Sequence, residues 1–398
     1  MTEKPGFAVP LADLPAWIAR QVTRTNEGEA VVAGIGLSLL SAGIPVRLVG
    51  FGAPSLSIAH RGISLSWTSG TEVERVFALH GDVEPERSPI SAALDAGRDF
   101  MRWNLSRGEG CAELPALARL RAEGCTEYLL ELVAFPPGME LRGVGLFYAT
   151  DRAGGFTEAD VALLRGLRDA YSLAVLRFSL SHALTNLLGA YIGARIAPLV
   201  LNGRVRRGEG ELMSTAILLA DLKGFTALAD REDPHRLVGW LDEHLDALGR
   251  EVGRHGGEIF KFTGDGFIAA FPVEDENASP CKACTGALAA ARAGLRHNRH
   301  VAMRRQAAGE PWLAADLALH FGQVVYGNIG TANRLDFTVV GRAVNEASRI
   351  EALCDVTQRN LLMSDSFARR CADDLVNLGA FSLRGVSAPQ QVWTVAEA

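Results

Sequence analysis

Gly256-Gly-Glu-Ile-Phe-Lys-Phe-Thr-Gly-Asp-Gly266, continued by Phe267-Ile-Ala-Ala-Phe-Pro272, places two short apolar runs on either side of Thr263-Gly-Asp-Gly266. That pattern predicts a β-hairpin with a turn of the Asp-Gly type. Upstream, Pro234 to His255 has amphipathic helical spacing with proline in its first turn. Further upstream, Thr215-Ala-Ile-Leu-Leu-Ala-Asp221 reads as a buried strand ending in a carboxylate. Downstream, a helix is expected from about 278 to 306, further strands from Leu313 to Ile329, and another helix from Val344 to Cys354. Strand, helix, hairpin, helix, strand is the order of a ferredoxin-like βαββαβ sandwich of the α+β class.

The chain has 398 residues, 48% hydrophobic and 22% charged, which suits two or three globular domains and excludes a disordered chain. Its net charge of -6 argues against a general nucleic-acid binder, which needs a basic footprint. The six cysteines are too scattered for a disulfide framework. Cys281 and Cys284 form one CxxC without a second ligand pair, so they read as small helix residues. Met1 to Pro10 lacks the apolar stretch of a signal peptide. Ala30 to Val46, the longest uncharged run, falls short of a membrane span. The expectation is a soluble cytoplasmic protein.

Residues 13–43 have helical periodicity, and Ile44 to Phe51 reads as a strand. Further strands are expected around 62–68, 126–135 and 142–149, with a turn at Pro136-Pro137-Gly138. Thr157, with Asp160 three residues on, has the spacing of a helix N-cap and capping box. From about 158 to 200 the pattern is helical and leucine-rich: Leu163, Leu164, Leu167, Tyr171, Leu173 and Leu176 form a stripe that Leu180, Leu184, Leu187 and Leu188 continue. Such a helix packs against its own domain or pairs with a second copy. Asn202 to Glu211 is charged and glycine-rich, and closes a helical linker over 184–212.

Asp221 ends a strand and Asp265 sits at a hairpin tip. In the ferredoxin-like order that strand and hairpin lie side by side, so the two carboxylates converge at a sheet edge. Carboxylates without soft ligands suit Mg²⁺ or Mn²⁺, two per site, which can activate an attacking oxygen and neutralise a leaving pyrophosphate. Taken singly, each aspartate also reads as a turn or capping residue. Lys223-Gly224-Phe225-Thr226 follows Asp221; Gly224 allows close backbone approach and the amides offer a phosphate cradle.

Three segments together resemble class III adenylate and guanylate cyclases over about 213–398. They are Ala220-Asp-Leu-Lys-Gly-Phe-Thr226, Gly256 to Gly266, and Phe337-Thr-Val-Val-Gly-Arg-Ala-Val-Asn-Glu-Ala-Ser-Arg349. The resemblance implies that Asp221 and Asp265 bind the metals, with Phe225 and Thr226 beside the substrate phosphates. It implies that Lys261 reads the base, lysine there going with adenine, and that its partner is Thr338, seven residues before Asn345. Asp336, two residues earlier, is out of register and reads as a turn residue. Asn345 and Arg349, four apart on one helix face, are implied as the transition-state pair. Asn345 would orient the ribose, and Arg349 would stabilise charge on the α-phosphate. Arg384, in Ser382-Leu-Arg-Gly385, resembles the cation for the terminal phosphates.

The implied activity is conversion of ATP to 3′,5′-cyclic AMP and pyrophosphate, with no protein nucleophile. In this family the metals sit on one protomer and the base-reading and transition-state residues on the other, so a head-to-tail homodimer is implied. The alternatives are a guanylate cyclase, or a weakly catalytic nucleotide-binding regulator of the same fold. The presence of Asp221, Asp265, Asn345 and Arg349 together speaks against the regulator. A diguanylate cyclase is disfavoured because Ile259 breaks the acidic pair its hairpin needs.

Residues 1–183 resemble a GAF-like sensory domain of the α/β type, placed ahead of the catalytic domain and reading an unknown small-molecule or protein signal. His60, His80, Cys111 and Cys125 are its candidate haem or metal ligands, each of which also reads as structural.

Overall fold

The computed structural model describes residues 8–80, 87–136, 142–204, 206, 208, 210–273, 275, 281–331, 333–371, 374–386 and 388–396. The expected turn residues Pro137 and Gly138 lie outside the described residues, as do 278–280 at the start of an expected helix. Contacts divide the chain into two compact units, Met1–Tyr191 and Ile192–Ala398.

The first unit runs α1 (Leu14–Arg24), α2 (Gly28–Ser41), β1 (Leu48–Pro54), β2 (His60–Thr68), β3 (Val73–Leu79), α3 (Pro89–Asp95), β4 (Phe100–Asn104), α4 (Pro115–Ala122), β5 (Glu127–Ala134), β6 (Gly143–Thr150), α5 (Glu158–Gly166) and α6 (Arg168–Ile192). Its six strands form an antiparallel sheet in the order β3-β2-β1-β6-β5-β4. Helices cover both faces. Leu129, Leu146 and Tyr148 pack with α1, α2, α5 and α6, while Tyr128, Leu130, Phe147 and Ala149 pack with α3 and α4. Burial on both faces explains why β1 and β6 are nearly continuous apolar runs.

The expected helix over 13–43 is two helices, and the strand expected from Ile44 begins at Leu48. The sequence reading has no strand at β3 or β4; β3 is apolar but mostly exposed, and β4 is only five residues long. The capping box is present: Asp160 N donates to Thr157 Oγ1 at 3.1 Å and Thr157 N donates to Asp160 Oδ2 at 2.8 Å. The long leucine pattern is broken at Leu167 and at Gly193, whose φ is +96°. Its residues also belong to different faces. Leu164, Leu167 and Tyr171 are buried, whereas Leu173, Leu180, Leu184 and Leu187 are exposed.

The second unit runs α7 (Ile196–Leu201), β7 (Gly210–Lys223), α8 (Phe225–Ala229), α9 (Pro234–Arg254), β8 (Glu258–Thr263), β9 (Gly266–Pro272), α10 (Lys282–Ala307), β10 (Ala314–Gly330), β11 (Leu335–Val340), α11 (Arg342–Glu351), α12 (Cys354–Thr357), β12 (Leu361–Ser364), α13 (Asp365–Ala368), β13 (Leu375–Phe381) and β14 (Gln390–Val395). The βαββαβ core is β7-α9-β8-β9-α10-β10, with its strands side by side in the order β10-β7-β9-β8. Beyond β10 the sheet continues through β12, β14 and β13, and β11 pairs with the far end of β10. The segment expected as a linker holds α7, whose Ile196 and Ala197 are buried in the second unit.

Period-2 alternation sets each face of β7. Ala216, Leu218, Ala220 and Leu222 join the core beneath α9 and α10, and Ile217 joins the opposite core with α7 and α11. Cys284 and Cys281 are buried free thiols in the first of these cores, as expected of helix-packing residues. No helix among the described residues is long and apolar enough to cross a membrane.

The hairpin turn differs in type from the expectation. Thr263 pairs with Gly266, so Gly264 and Asp265 are the central residues. Gly264 has φ +73° and Asp265 has no positive φ, a glycine-first turn rather than Asp-Gly. Gly266 itself is required by space: a Cβ there would lie 2.1 Å from the Ala220 carbonyl oxygen and 3.0 Å from Asp221 Oδ1. Gly266→Ala should therefore destabilise the second domain by about 1–3 kcal/mol, the cost of overpacking against fixed backbone. Urea unfolding reads this, and an unchanged midpoint would show that β7 and β9 can part without cost.

Candidate functional site

Because Leu222 points into the α9/α10 core, Asp221 is turned to the opposite face of the sheet. There it meets Asp316 directly, its cross-strand partner on β10. Like charges in directly opposed positions destabilise a strand pair. Asp265 approaches from the hairpin tip, and Glu351 from the last turn of α11.

The electrostatics report this crowding. Burial, then Asp265 and Asp316, push the Asp221 carboxyl up to about 6. Burial, then Asp221, Asp316, Asp355 and Asp265, push Glu351 up to about 7. Part of the cluster is neutralised: Lys223 Nζ lies 3.2 Å from Asp316 Oδ2 and 2.8 Å from Asp355 Oδ1, and Asn360 Nδ2 donates to Asp316 Oδ1 at 2.8 Å. The Lys223 ammonium is thus committed to carboxylates. Asp221 and Asp265 have no cationic partner among the described residues, and an oxygen-only donor set under mutual repulsion fits a hard divalent cation. No group of three or more His, Cys, Asp or Glu residues placed to hold a metal ion occurs among the described residues.

Gly224 (φ +82°) makes the left-handed turn into α8, which presents Phe225 and Thr226 directly after the Asp221 strand. Lys261 lies on β8 next to a bulge between Ile259 and Lys261. Phe260 and Phe337 pack on Tyr326, with ring centroids 5.1 and 4.6 Å from it. This clasp holds β8 beside β11, and Lys261 Nζ donates to Asp336 Oδ2 at 2.7 Å.

Asp336 is therefore not a turn residue, as the sequence reading had it. It is a strand residue of β11 paired with Ile329, and it is the group that Lys261 meets. Thr338 lies two residues along the same strand face and is buried, with no hydrogen bond to Lys261. The sequence carried a signal for Asp336 in its strand-period relation to Thr338. The β10–β11 register that puts it in reach is tertiary information. Both partners are about half exposed, so the pair contributes at most about 1 kcal/mol of stability and chiefly orients the ammonium.

Asn345 and Arg349 project from α11, and neither makes a hydrogen bond or ion pair among the described residues. Arg349 Nη2 lies beside Gly385, next to the exposed Arg384. Arg349 and Glu351 are two residues apart, so they point about 200° apart around the helix. Since Glu351 faces the carboxylates, Arg349 faces away from them. Within one chain the structure groups Asp221, Asp265, Asp316 and Glu351 in one place, and sets Arg349 beside Gly385, the residue after Arg384, in another. Asp316 and Glu351 escaped the sequence reading. Asp316 was legible only through the β7–β10 register, while Glu351 sits in the motif helix.

Residues 210–395 match the family model of the adenylate and guanylate cyclase catalytic domain. An adenylate cyclase of Anabaena cylindrica is 32% identical over 162 residues, which are 41% of this chain and 32% of that protein. An uncharacterized protein of Mycobacterium tuberculosis is 30% identical over 225 residues, 56% of this chain and 38% of that protein. The chain thus spans between 32% and 38% of the length of these two relatives. Among solved structures, the adenylyl cyclase CyaB from P. aeruginosa has a TM-score of 0.44 at 24% identity, over 48% of this chain and 97% of that one. The guanylyl cyclase Cya2 has a TM-score of 0.40 at 25% identity, over 46% and 92%.

In the metal-free protein, the folded state holds protons on Asp221 and Glu351 more tightly than the unfolded chain does. Between the ordinary carboxylate range and about pH 7, folding therefore takes up protons, and stability falls as pH rises through that window. Asp221→Asn should raise the melting temperature of chelator-treated protein at pH 8, at about 2–4 °C for each kcal/mol relieved, with a smaller gain at pH 5, part of the way through the window. Calorimetry at the two pH values checks this; equal melting temperatures for variant and parent at pH 8 would mean the carboxylates do not repel.

Proposed function

Residues 210–395 form a class III nucleotidyl cyclase catalytic domain, and on that premise we propose that it converts ATP to 3′,5′-cyclic AMP and pyrophosphate at the interface of a homodimer. The observation that carries the reading is the pairing of an uncompensated carboxylate set around Asp221 with a separate cationic set around Arg349.

Asp221 and Asp265 would hold two Mg²⁺ or Mn²⁺ ions, with Asp316 shaping the field from across the strand pair. Such ions, when bound, polarise the attacking and leaving oxygens. The chain's own residues do the rest. Lys261 offers an ammonium donor to the ring nitrogens of adenine, and its contact with Asp336 holds that donor in place. The Asp336 carboxylate also supplies an acceptor for the adenine amino group, a role that Thr338 can share through its hydroxyl. Asn345 orients the ribose so that its 3′-oxygen lies in line with the α-phosphate. Arg349 stabilises the charge that develops on the α-phosphate oxygens, and Arg384 holds the terminal phosphates. The amides at Phe225 and Thr226 line the phosphate path.

Opposite orientation of Glu351 and Arg349 on α11 supports a site completed by a second copy. So does the exposed run Leu173, Leu180, Leu184, Leu187 and Tyr191 on α6, whose last four members have the alternating four- and three-residue steps of a coiled-coil seam. Residues 1–183 are assigned a GAF-like sensory role for an unidentified signal, supported by the two-faced antiparallel sheet.

Asp221→Ala should abolish metal-dependent cyclic AMP formation, and so should Arg349→Ala; chromatographic product analysis checks both. Mixing the two inactive variants should restore up to about a quarter of parental activity, the share of intact sites in a random mixed dimer. No recovery from a re-equilibrated mixture would sink the shared site. Lys261→Glu and Asp336→Ala should each reduce discrimination of ATP from GTP, and a parent enzyme that prefers GTP would overturn the base assignment.

A further inference from the structure

Two histidines of the first domain form a cluster that the cyclase reading leaves unused. His60 opens β2 and His182 lies on α6, with ring centroids 5.8 Å apart and planes at 41°. Phe77 packs on His60 at 4.4 Å, and Phe77 and Phe178 stack on His182 at 6.0 Å each. The rings are thus held by aromatic packing. In both of them Nε2 is shut off from solvent and has no hydrogen-bond partner. A buried unpaired polar group costs about 1–3 kcal/mol, and an apolar ring would fill either position without that cost.

His60 Nδ1 lies 3.1 Å from Ser57 Oγ. With its proton on Nδ1 donated to that hydroxyl, His60 turns the Nε2 lone pair inward. This is the arrangement of a metal-binding imidazole, whose second nitrogen is held by a hydrogen bond. Ser179 and Asn186, three residues before and four after His182 on the same helix face, also carry buried side-chain atoms without partners. Polar groups without partners therefore collect along one face of α6.

We propose that Nε2 of His60 and Nε2 of His182 bind one divalent transition-metal ion of the Zn²⁺, Co²⁺, Ni²⁺ or Cu²⁺ class. Imidazole selects this class over Mg²⁺. Two nitrogens at about 2.0–2.1 Å from a tetrahedral ion place the ring centroids about 5 Å apart, against the 5.8 Å between these two rings. No third His, Cys, Asp or Glu completes the set among the described residues, so the chain supplies two nitrogen ligands. The other candidate ligands of this domain do not join. His80 Nε2 is engaged by the Ser57 carbonyl at 2.9 Å, Cys111 Sγ by the Glu109 carbonyl, and burial pushes the Cys125 thiol up to about 11.

The test is calorimetric titration of the full chain with Co²⁺ in a large excess of Mg²⁺, which occupies carboxylate sites. One Co²⁺ site is expected in the parent and in Asp221→Asn. His60→Gln and His182→Gln should each weaken it by more than the about 10–100-fold that loss of an outer hydrogen-bond partner costs, while His297→Gln on α10 should leave it intact. Absence of stoichiometric binding, or binding retained in both His60→Gln and His182→Gln, overturns the proposal. Electron paramagnetic resonance of the Cu²⁺-loaded parent guards against misfolded variants: coupling to two imidazole nitrogens is expected, and an all-oxygen signature overturns the site. The readout is metal binding rather than turnover, so this proposal and the cyclase assignment fail independently.

Discussion

Asp221 and Asp316 oppose each other across the central strand pair of the second domain. Much of that domain can be understood from this one unfavourable contact. It exists because Leu222 and Ala220 on β7, and Ala315 and Leu317 on β10, are committed to the core beneath α9 and α10. Alternation then leaves the intervening aspartates no other face. A slip of one residue would bury both carboxylates under the helices, so the apolar pattern enforces the charged one. Lys223 relieves Asp316 but leaves Asp221 raised toward neutrality. Stability is given up to keep an acidic, cation-seeking surface at the end of the strand.

Close approach at the hairpin serves the same end. With no side chain at Gly266, β9 can lie against the Ala220 carbonyl, and the tip carrying Asp265 comes up beside Asp221. The other candidate residues are arranged by separate means: an aromatic clasp of Phe260, Tyr326 and Phe337 for the Lys261–Asp336 pair, and the pitch of α11 for Asn345 and Arg349. The first domain shows the reverse economy at His60 and His182, where polar nitrogens are retained inside an aromatic cluster.

The βαββαβ order was legible because each of its elements has a clear period and clear end signals, such as Pro234 at the start of α9 and the Thr263–Gly266 tip. The three carrying motifs were legible for the same reason, being compact in sequence. Elements that are short or largely exposed were missed, as with β3 and β4. The leucine pattern of α6 was visible, but its division between a buried face and an exposed one was not. Leu167 and Leu173 are both leucines, and only packing separates them.

By itself, the sequence indicated the βαββαβ order of the second domain through local spacing and period, and its three compact motifs, through their resemblance to class III cyclases, named Asp221, Asp265, Lys261, Asn345 and Arg349 as candidate site residues. Only the tertiary structure decided which groups act on them. Asp316 and Asp336 reach Asp221 and Lys261 through strand register, across 95 and 75 residues of chain, and Glu351 is turned toward the carboxylates by the packing of α11. His182 meets His60 across 122 residues of chain for the same reason. Side-chain type and periodicity are properties of neighbours along the chain. Register and facing are properties of neighbours in space, and those are settled only when the core closes.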